Sequence, residues 1–113
     1  MSIRLLSLSK NEDFKSLLSG KKISNKYLTI FFKSLSGKSN KYLNISFVAQ
    51  KKLGNAVKRN KIKRRLKNIM NQTLKIQKIN LNYSYLIIAK KNMIDAKFFD
   101  IKETILKDYK KIK

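Results

Sequence analysis

The chain has one stretch whose side chains are strongly suited to binding anions. Nine lysines and arginines fall within residues 51–70, and residues 51–94 contain no Asp or Glu to pair with them. Three of the four arginines in the chain, Arg59, Arg64 and Arg65, lie there. A guanidinium group can bind a phosphate or a guanine edge through two parallel hydrogen bonds. Because so many uncompensated cations on one helix are favourable mainly when phosphates neutralise them, the stretch predicts a nucleic-acid-binding surface.

Residues for protein-based catalysis are scarce. The chain has no Cys and no His, which excludes thiol nucleophiles, imidazole bases and zinc fingers. The six carboxylates are explained more simply as capping and charge-pairing groups near helices. They are Glu12, Asp13, Asp95, Asp100, Glu103 and Asp108. We therefore predict no catalytic residue and no metal site among the protein side chains.

Length and charge narrow the class of protein. The 113 residues suffice for one domain, which we expect to span residues 1–113. The chain has 28 Lys and Arg residues but only 6 Asp and Glu, which gives a net charge of +22. Such a surplus of positive charge is typical of proteins that bind a polyanion. Nucleic acid is the first candidate and an anionic membrane surface the second. No apolar run approaches the roughly 18 residues of a membrane span, and no signal-peptide pattern is present, so we expect a cytoplasmic protein.

The basic stretch must be positioned by a small set of helices and strands. Ser9 and Glu12 form the pattern of a capping box, which opens a short helix. Apolar residues at three- and four-residue spacing predict two later helices, and aromatic or β-branched runs predict strands. The expected helices span 10–19, 55–79 and 97–111, and the expected strands span 26–32, 42–48 and 85–89. The first two strands are predicted to form an antiparallel hairpin, and the third to be buried on both faces.

Alternation along the first two strands predicts two different sheet faces. One face is apolar and suits a core. It holds Leu28, Ile30 and Phe32 with Leu43, Ile45 and Phe47. The other face mixes polar and aromatic side chains, which is unusual for a core. It holds Tyr27, Thr29 and Phe31 with Asn44, Ser46 and Val48.

The basic stretch also carries an ordered motif. From Lys51 to Arg64 it reads Lys-Lys, any residue, Gly, any residue, Ala-Val, any residue, Arg-Asn, two residues, Lys-Arg. This order resembles the signature of the protein subunit of bacterial ribonuclease P, and the chain matches every fixed position. The opening at residues 10–14 and the order of the elements are similar as well. The resemblance covers essentially the whole chain.

The resemblance implies an α+β fold of the ribosomal S5 domain 2-like type. Its four-stranded mixed sheet packs with three helices, and a left-handed β-α-β crossover passes through the basic helix, against the usual right-handed rule. It also implies a ribonucleoprotein in which a catalytic RNA, holding most of the Mg²⁺, removes the 5′ leader of precursor tRNA. The protein would bind that RNA and the leader. The implied partners are the catalytic RNA and precursor tRNA, with no membrane and no protein partner.

Two groups of binding residues follow from the resemblance and the cationic pattern. The residues expected to bind RNA are Lys51, Lys52, Lys58, Arg59, Asn60, Lys61, Lys63, Arg64, Arg65 and Lys67. The leader site in the family is a cleft between the first helix and the sheet. Its expected residues here are Phe14, Leu18, Tyr27, Thr29 and Phe31. Ordinary core packing is an equal alternative for Phe14 and Phe31. Gly54 is expected to allow a sharp turn into the helix, and Asn55 to cap it.

Two substitutions depart from what is common in the family. Lys61 and Lys67 stand where arginine is frequent, which keeps the charge but loses the planar fork. Leu18 replaces a frequent aromatic residue, which implies one stacking contact fewer.

Three other functions remain open from the residues. A small ribosomal or other structural RNA-binding protein would also be basic and α+β. A DNA-binding module would place residues 56–79 in a major groove, but the preceding segment predicts a strand and not the companion helix. A membrane-surface helix would need aromatic anchors that this helix does not have.

Overall fold

The part of the chain that the structure describes forms three α-helices and five β-strands. The structure, a computed structural model, describes residues 5–6, 11–34, 43–76, 79 and 83–112, with the backbone alone for 5–6, 11–14 and 43. In chain order the elements are β1 (Leu5–Leu6), α1 (Asn11–Leu18), β2 (Lys21–Ser24), β3 (Leu28–Ser34), β4 (Leu43–Val48), α2 (Ala56–Ile76), β5 (Tyr83–Ala89) and α3 (Phe98–Lys111). All six predicted elements are confirmed within three residues at each end. The capping position Ser9 lies outside the described residues.

The strands form one mixed sheet in the order β1-β4-β5-β3-β2. β5 lies at its centre, antiparallel to β3 and parallel to β4. Tyr85, Leu86 and Ile87 are all buried, although they alternate between the two faces. This confirms the prediction of a strand buried on both sides.

The predicted hairpin of β3 with β4 is wrong. β5 lies between these strands, because a strand that is apolar on both faces is most stable with a neighbour on each edge. β3 instead forms a hairpin with β2, which the sequence analysis missed. β2 has only four residues, and its two lysines, Lys21 and Lys22, are exposed, as is typical of a protected edge strand.

Asn25 makes the turn between β2 and β3. Its Oδ1 accepts hydrogen bonds from the backbone N–H groups of Tyr27 and Leu28, at 2.8 and 3.0 Å. Its Nδ2 donates to Oδ2 of Asp108 in α3, at 2.6 Å. Because Asp108 is only 4% exposed, this bond gives a buried carboxylate its partner and joins α3 to the turn.

The α+β class is confirmed. Four strands have four residues or more, the two-residue β1 extends the edge beside β4, and three helices complete the fold. The parallel pairing of β4 with β5 across α2 forms a β-α-β unit. Its left-handed sense stays a prediction from the family resemblance.

α2 and α3 pack on one face of the sheet. Residues from both helices share one buried cluster with Leu28, Ile30, Phe32, Ile45 and Ile87 of the strands. The apolar stripe predicted for α2 is confirmed, since every member is buried. The stripe consists of Ile62, Leu66, Ile69, Met70 and Thr73. The side chain of Leu43, predicted on this face, lies outside the described residues.

Two phenols lie within this core. The rings of Tyr85 and Tyr109 meet edge to face, with centroids 5.2 Å apart. Burial, more than any neighbouring charge, raises the pKa of both hydroxyl groups well above the usual value. Both phenols are therefore neutral packing groups at physiological pH and are unsuited to acid–base work there.

Candidate nucleic-acid interface

A turn at Gly54 and Asn55 sets the position of α2. Gly54 has φ +139° and ψ −168°, a backbone conformation essentially restricted to glycine. The Asn55 side-chain oxygen accepts a hydrogen bond from the N–H of Lys58 at 2.9 Å, and its carbonyl accepts one from Arg59 at 3.0 Å. The expected turn glycine and helix cap are thus confirmed. The turn and the cap together fix where α2 begins, and so they position the cations of its first turn.

Gly54→Ala is expected to destabilise the protein by about 1–3 kcal/mol, because the φ value is strained for any residue with a Cβ. That Cβ would also lie 2.9 Å from Cδ of Lys58. Urea unfolding measures the loss. Gly20→Ala is the comparison: its Cβ would lie 2.9 Å from the backbone oxygen of Phe32, so it should lose stability through this clash alone, without strain in φ. An unchanged unfolding midpoint for Gly54→Ala would contradict the strained turn.

The outward surface of α2 is cationic from Lys58 to Lys67, whereas the exposed residues Asn68, Asn71 and Gln72 that follow are uncharged. Of the α2 residues expected to bind RNA, two are half-buried beside the apolar stripe, namely Arg59 and Arg65. The others are exposed: Lys58, Asn60, Lys61, Lys63, Arg64 and Lys67. Lys51 and Lys52 are exposed in the 3₁₀ turn that precedes Gly54. The chain has no Asp or Glu from residue 14 to residue 94, so neither α2 nor the strands β2 to β5 carry an acidic side chain. All ten residues expected to bind RNA therefore belong to one continuous segment around α2.

Arg59 occupies a distinctive place on α2. Its Nε atom is buried and has no hydrogen-bond partner in the part of the chain that the structure describes. A buried donor without an acceptor costs about 1–3 kcal/mol, so this arginine is poorly explained as a structural residue. An external acceptor such as phosphate would be reached by the other N–H groups of this half-buried guanidinium, since Nε itself is closed to solvent.

The sheet face opposite α2 and α3 is covered by α1 only in part, and the surface left open beside α1 is here called the cleft. Strand registers align Thr29 with Ile88 and Val48 in one row, and Phe31 with Leu86 and Ser46 in the next. Phe31 and Thr29 are half-buried, so both retain accessible surface. The predicted mixed face is confirmed for these strand residues.

α1 covers one end of this cleft. Leu17 is buried there, and Nζ of Lys33 in β3 donates a hydrogen bond to Oγ of Ser16 at 2.6 Å. Leu18 is 51% exposed, which leaves it available to a ligand. The backbone of Phe14 lies in α1, while its side chain is outside the described residues.

The other end of the cleft opens into a cavity of about 500 Å³. It lies where the parallel strands β4 and β5 both end. Six of the residues that line it are Thr29, Gln50, Lys52, Leu53, Ile88 and Lys91. Lys90 also lines it, but its Nζ donates to Oγ of Ser24 and to the Asn25 carbonyl, both at 2.6 Å. The cavity therefore combines an apolar floor with cations at its rim, a combination that suits a nucleotide.

Tyr27 differs from expectation. It was predicted on the cleft face with Thr29 and Phe31, but it is 7% exposed and belongs to the core beneath α2 and α3. The alternation fails because Tyr27 precedes β3, in the turn that Asn25 makes. Little of its surface remains for a ligand.

Sequence reasoning missed Ile88, Lys90 and Lys91 as cleft residues. A signal was present, because two lysines directly follow the apolar run of β5. The carboxyl ends of parallel strands meet at one sheet edge, so knowing the β4–β5 pairing would have placed these lysines beside Lys52.

The described residues contain no group of three or more Asp, Glu, His or Cys side chains able to hold a metal ion. None of the helices described is long and apolar enough to cross a membrane.

Comparison with known proteins gives one consistent result. A sequence model of the family Ribonuclease P matches residues 4–113. The ribonuclease P protein component of Fusobacterium nucleatum is 36% identical over 111 residues, which cover 94% of this chain and 96% of that protein. The component of Clostridioides difficile is 34% identical over 103 residues, covering 90% and 87%. The solved structure of the RNase P protein from Thermotoga maritima matches with a TM-score of 0.80 at 25% identity, covering 96% of this chain and 98% of that one.

Proposed function

Because this chain belongs to the ribonuclease P protein family and is a protein subunit of that tRNA-processing ribonuclease, we propose that it holds two RNAs on two surfaces. The catalytic RNA binds along α2, and the 5′ leader of precursor tRNA binds in the cleft on the opposite sheet face. Family membership already gives the protein an RNA partner in a ribonucleoprotein and removes the ribosomal alternative.

The uncompensated charge of α2 is the observation that carries the proposal. Its cations project from a helix whose apolar stripe is completely buried, so the helix cannot turn another face outward. Like charges three and four residues apart repel each other, and phosphates of a folded RNA relieve that repulsion. Arg59 and Arg64 supply planar forks at fixed points of the motif.

The cleft suits a single strand of variable sequence. Phe31 offers a partly exposed aromatic ring, and bases of any identity stack on aromatic faces. From this ring the path continues past Thr29 to the cavity rimmed by Lys52 and Lys91. Those lysines would bind the strand's phosphates, so the proposed contacts are largely independent of leader sequence.

The cleavage chemistry in this proposal belongs to the RNA and its Mg²⁺. The supporting observation is the shortage of side chains suited to acid–base or nucleophilic catalysis. The chain has neither Cys nor His, and the pKa values of its two core phenols are raised. The protein contributes by binding substrate and by screening phosphate repulsion, which lowers the Mg²⁺ concentration the RNA needs. The proposal also places the protein in the bacterial cytoplasm with precursor tRNA.

Reconstitution tests the proposed function. At low Mg²⁺, adding the protein to ribonuclease P RNA is expected to raise cleavage of precursor tRNA at least ten-fold, an effect of about 1.4 kcal/mol. The advantage should shrink as Mg²⁺ increases. Poly-lysine of similar length is the control for charge alone. Equal turnover with and without the protein across Mg²⁺ and salt concentrations would refute the function.

A further inference from the structure

Lys90 differs from the other lysines at the cavity of about 500 Å³, the cleft cavity, because its ammonium group is held in place. The other two lysines that line this cavity are exposed, whereas Lys90 is half-buried. Its Nζ donates hydrogen bonds to Oγ of Ser24 and to the carbonyl of Asn25, both at 2.6 Å. Its backbone N–H donates to the carbonyl of Tyr27 at 2.8 Å. Both ends of the residue are therefore fixed to the turn between β2 and β3.

Asn25 is fixed in its turn by further hydrogen bonds. Its backbone N–H donates to the carbonyl of Leu28 at 3.0 Å, and its Oδ1 accepts from the N–H groups of Tyr27 and Leu28. Its Nδ2 donates to Oδ2 of Asp108 at 2.6 Å, and its carbonyl accepts from Lys90. Every polar group of Asn25 thus has a partner, and one chain of hydrogen bonds runs from α3 through the turn to the cleft cavity.

Asp108, at the α3 end of this chain, is poorly explained by stability alone. It is 4% exposed, and among the described residues it is bonded to the neutral amide of Asn25 and forms no ion pair. Burying a carboxylate is costly, and an apolar side chain of similar volume suits such a position better. An ionised carboxylate accepts hydrogen bonds and cannot donate them, so it selects one of the two orientations of the Asn25 amide. In that orientation Nδ2 faces α3 and Oδ1 faces the turn.

We propose that Asp108 and Asn25 are positioning residues for Lys90, whose third ammonium N–H binds a phosphate of the leader strand. An ammonium group has three donors, and the hydrogen bonds to Ser24 and Asn25 use two of them. The third remains, on a side chain that lines the cleft cavity. Because this group is ordered before the strand arrives, its binding avoids the entropy loss that a free lysine would suffer. The inference rests on the proposed function in that the strand in the cleft is the 5′ leader.

NMR of the lysine ammonium groups in the isolated full-length protein tests the positioning. Ammonium protons of free lysines exchange rapidly with water, whereas hydrogen-bonded ones exchange slowly enough to be observed. We expect an observable Nζ–H signal from Lys90, assigned by its loss in Lys90→Gln. Asp108→Leu should broaden or shift this signal, and Asp100→Leu, the same change at an exposed site on α3, should not. No Lys90 signal in the unchanged protein, or one that Asp108→Leu leaves as it was, would overturn the proposal.

The ratio of precursor to mature tRNA affinity in the reconstituted holoenzyme tests what the positioning does. Asp108→Leu should lower this ratio about three- to ten-fold, the cost of ordering one long side chain on binding. Asp108→Asn keeps an acceptor for the Asn25 amide and should preserve most of the ratio. Lys90→Gln should lower the ratio at least as much as Asp108→Leu, and combining the two should lower it no further, because Asp108 acts through Lys90. A further loss in the double variant would overturn this route.

Ser24→Ala approaches the same ammonium group without touching the core. Ser24 is exposed, so its loss should leave folding intact while removing one acceptor of Lys90. The ratio should fall in the same direction as for Asp108→Leu. A preference for precursor that Ser24→Ala, Asp108→Leu and Lys90→Gln all leave unchanged would refute the inference alone. Equal affinity of the unchanged holoenzyme for precursor and mature tRNA would instead refute leader binding in the cleft, the proposed function, whatever the NMR result.

Discussion

Replacing Arg59 and Arg64 together by alanine is expected to weaken binding of the catalytic RNA at least ~100-fold at moderate salt. Each guanidinium makes charge-assisted hydrogen bonds to phosphate worth roughly 1.5–3 kcal/mol, and the two groups lie five residues apart on different sides of α2. Loss of two phosphate contacts should also flatten the plot of log K against log salt by about 1.4–1.8. Filter binding across a salt series measures both quantities.

The protein itself should survive this double substitution. Arg64 is exposed, and removing Arg59 also removes a buried Nε that has no partner in the described structure. Unfolding midpoints are therefore expected to stay the same or rise slightly. Lys75→Ala with Lys107→Ala lowers the net charge equally and should change affinity much less. If both double variants shift the salt plot by the same amount, binding depends on total charge and not on these two positions.

Arg59→Lys separates charge from geometry. Lysine keeps the cation but cannot make two parallel hydrogen bonds to one phosphate. The salt plot should keep its slope while affinity falls at every salt concentration. The chain already carries lysine at positions 61 and 67, where the family often has arginine, so its recognition should depend strongly on the arginines that remain.

The sequence predicted α2 well because its signals are local. Apolar residues at helical spacing identified the buried stripe, and the Gly54–Asn55 pair identified the start of the helix. Both depend on residues within one or two turns of each other, where backbone geometry is fixed by the chain itself.

Strand pairing was not predictable in the same way. β3 and β4 are consecutive and each is apolar on one face, which favours a hairpin on local grounds. Both strands instead pair with β5, which lies between them in the sheet. Because β5 begins 35 residues after β4 ends, this pairing depends on residues far apart in the sequence. The hydrogen bond between Asn25 and Asp108 likewise spans 83 positions, so only tertiary packing brings the two together.

Phe31→Ala is expected to weaken binding of leader-bearing precursor tRNA by roughly 5- to 150-fold, the range for losing one base–aromatic stack. Mature tRNA, which has no leader, should bind as before. The expectation follows from the register of the sheet: Phe31 lies beside Leu86 and Ser46 on the cleft face and keeps part of its ring accessible. Adding Phe14→Ala should deepen the loss, as the resemblance to the family implies.

The adjacent Phe32 provides a matched control. It lies on the opposite face, is buried in the core and meets Tyr83 edge to face at 5.6 Å. Changing each phenylalanine to leucine keeps an apolar side chain and removes only the aromatic ring. Phe31→Leu should lower the ratio of precursor to mature affinity with little change in stability. Phe32→Leu should lower stability with no change in that ratio.

The ratio of the two affinities is the deciding measurement, because a general loss of folding affects both RNAs alike. If Phe31→Leu weakens precursor and mature tRNA equally, the ring supports the sheet and does not stack on the leader. If only the precursor is affected, the two surfaces act independently: α2 retains the catalytic RNA while the cleft loses its substrate strand. A double-mutant cycle of Phe31→Leu with Arg64→Ala should then be additive in free energy, since the two side chains lie on opposite sides of the sheet.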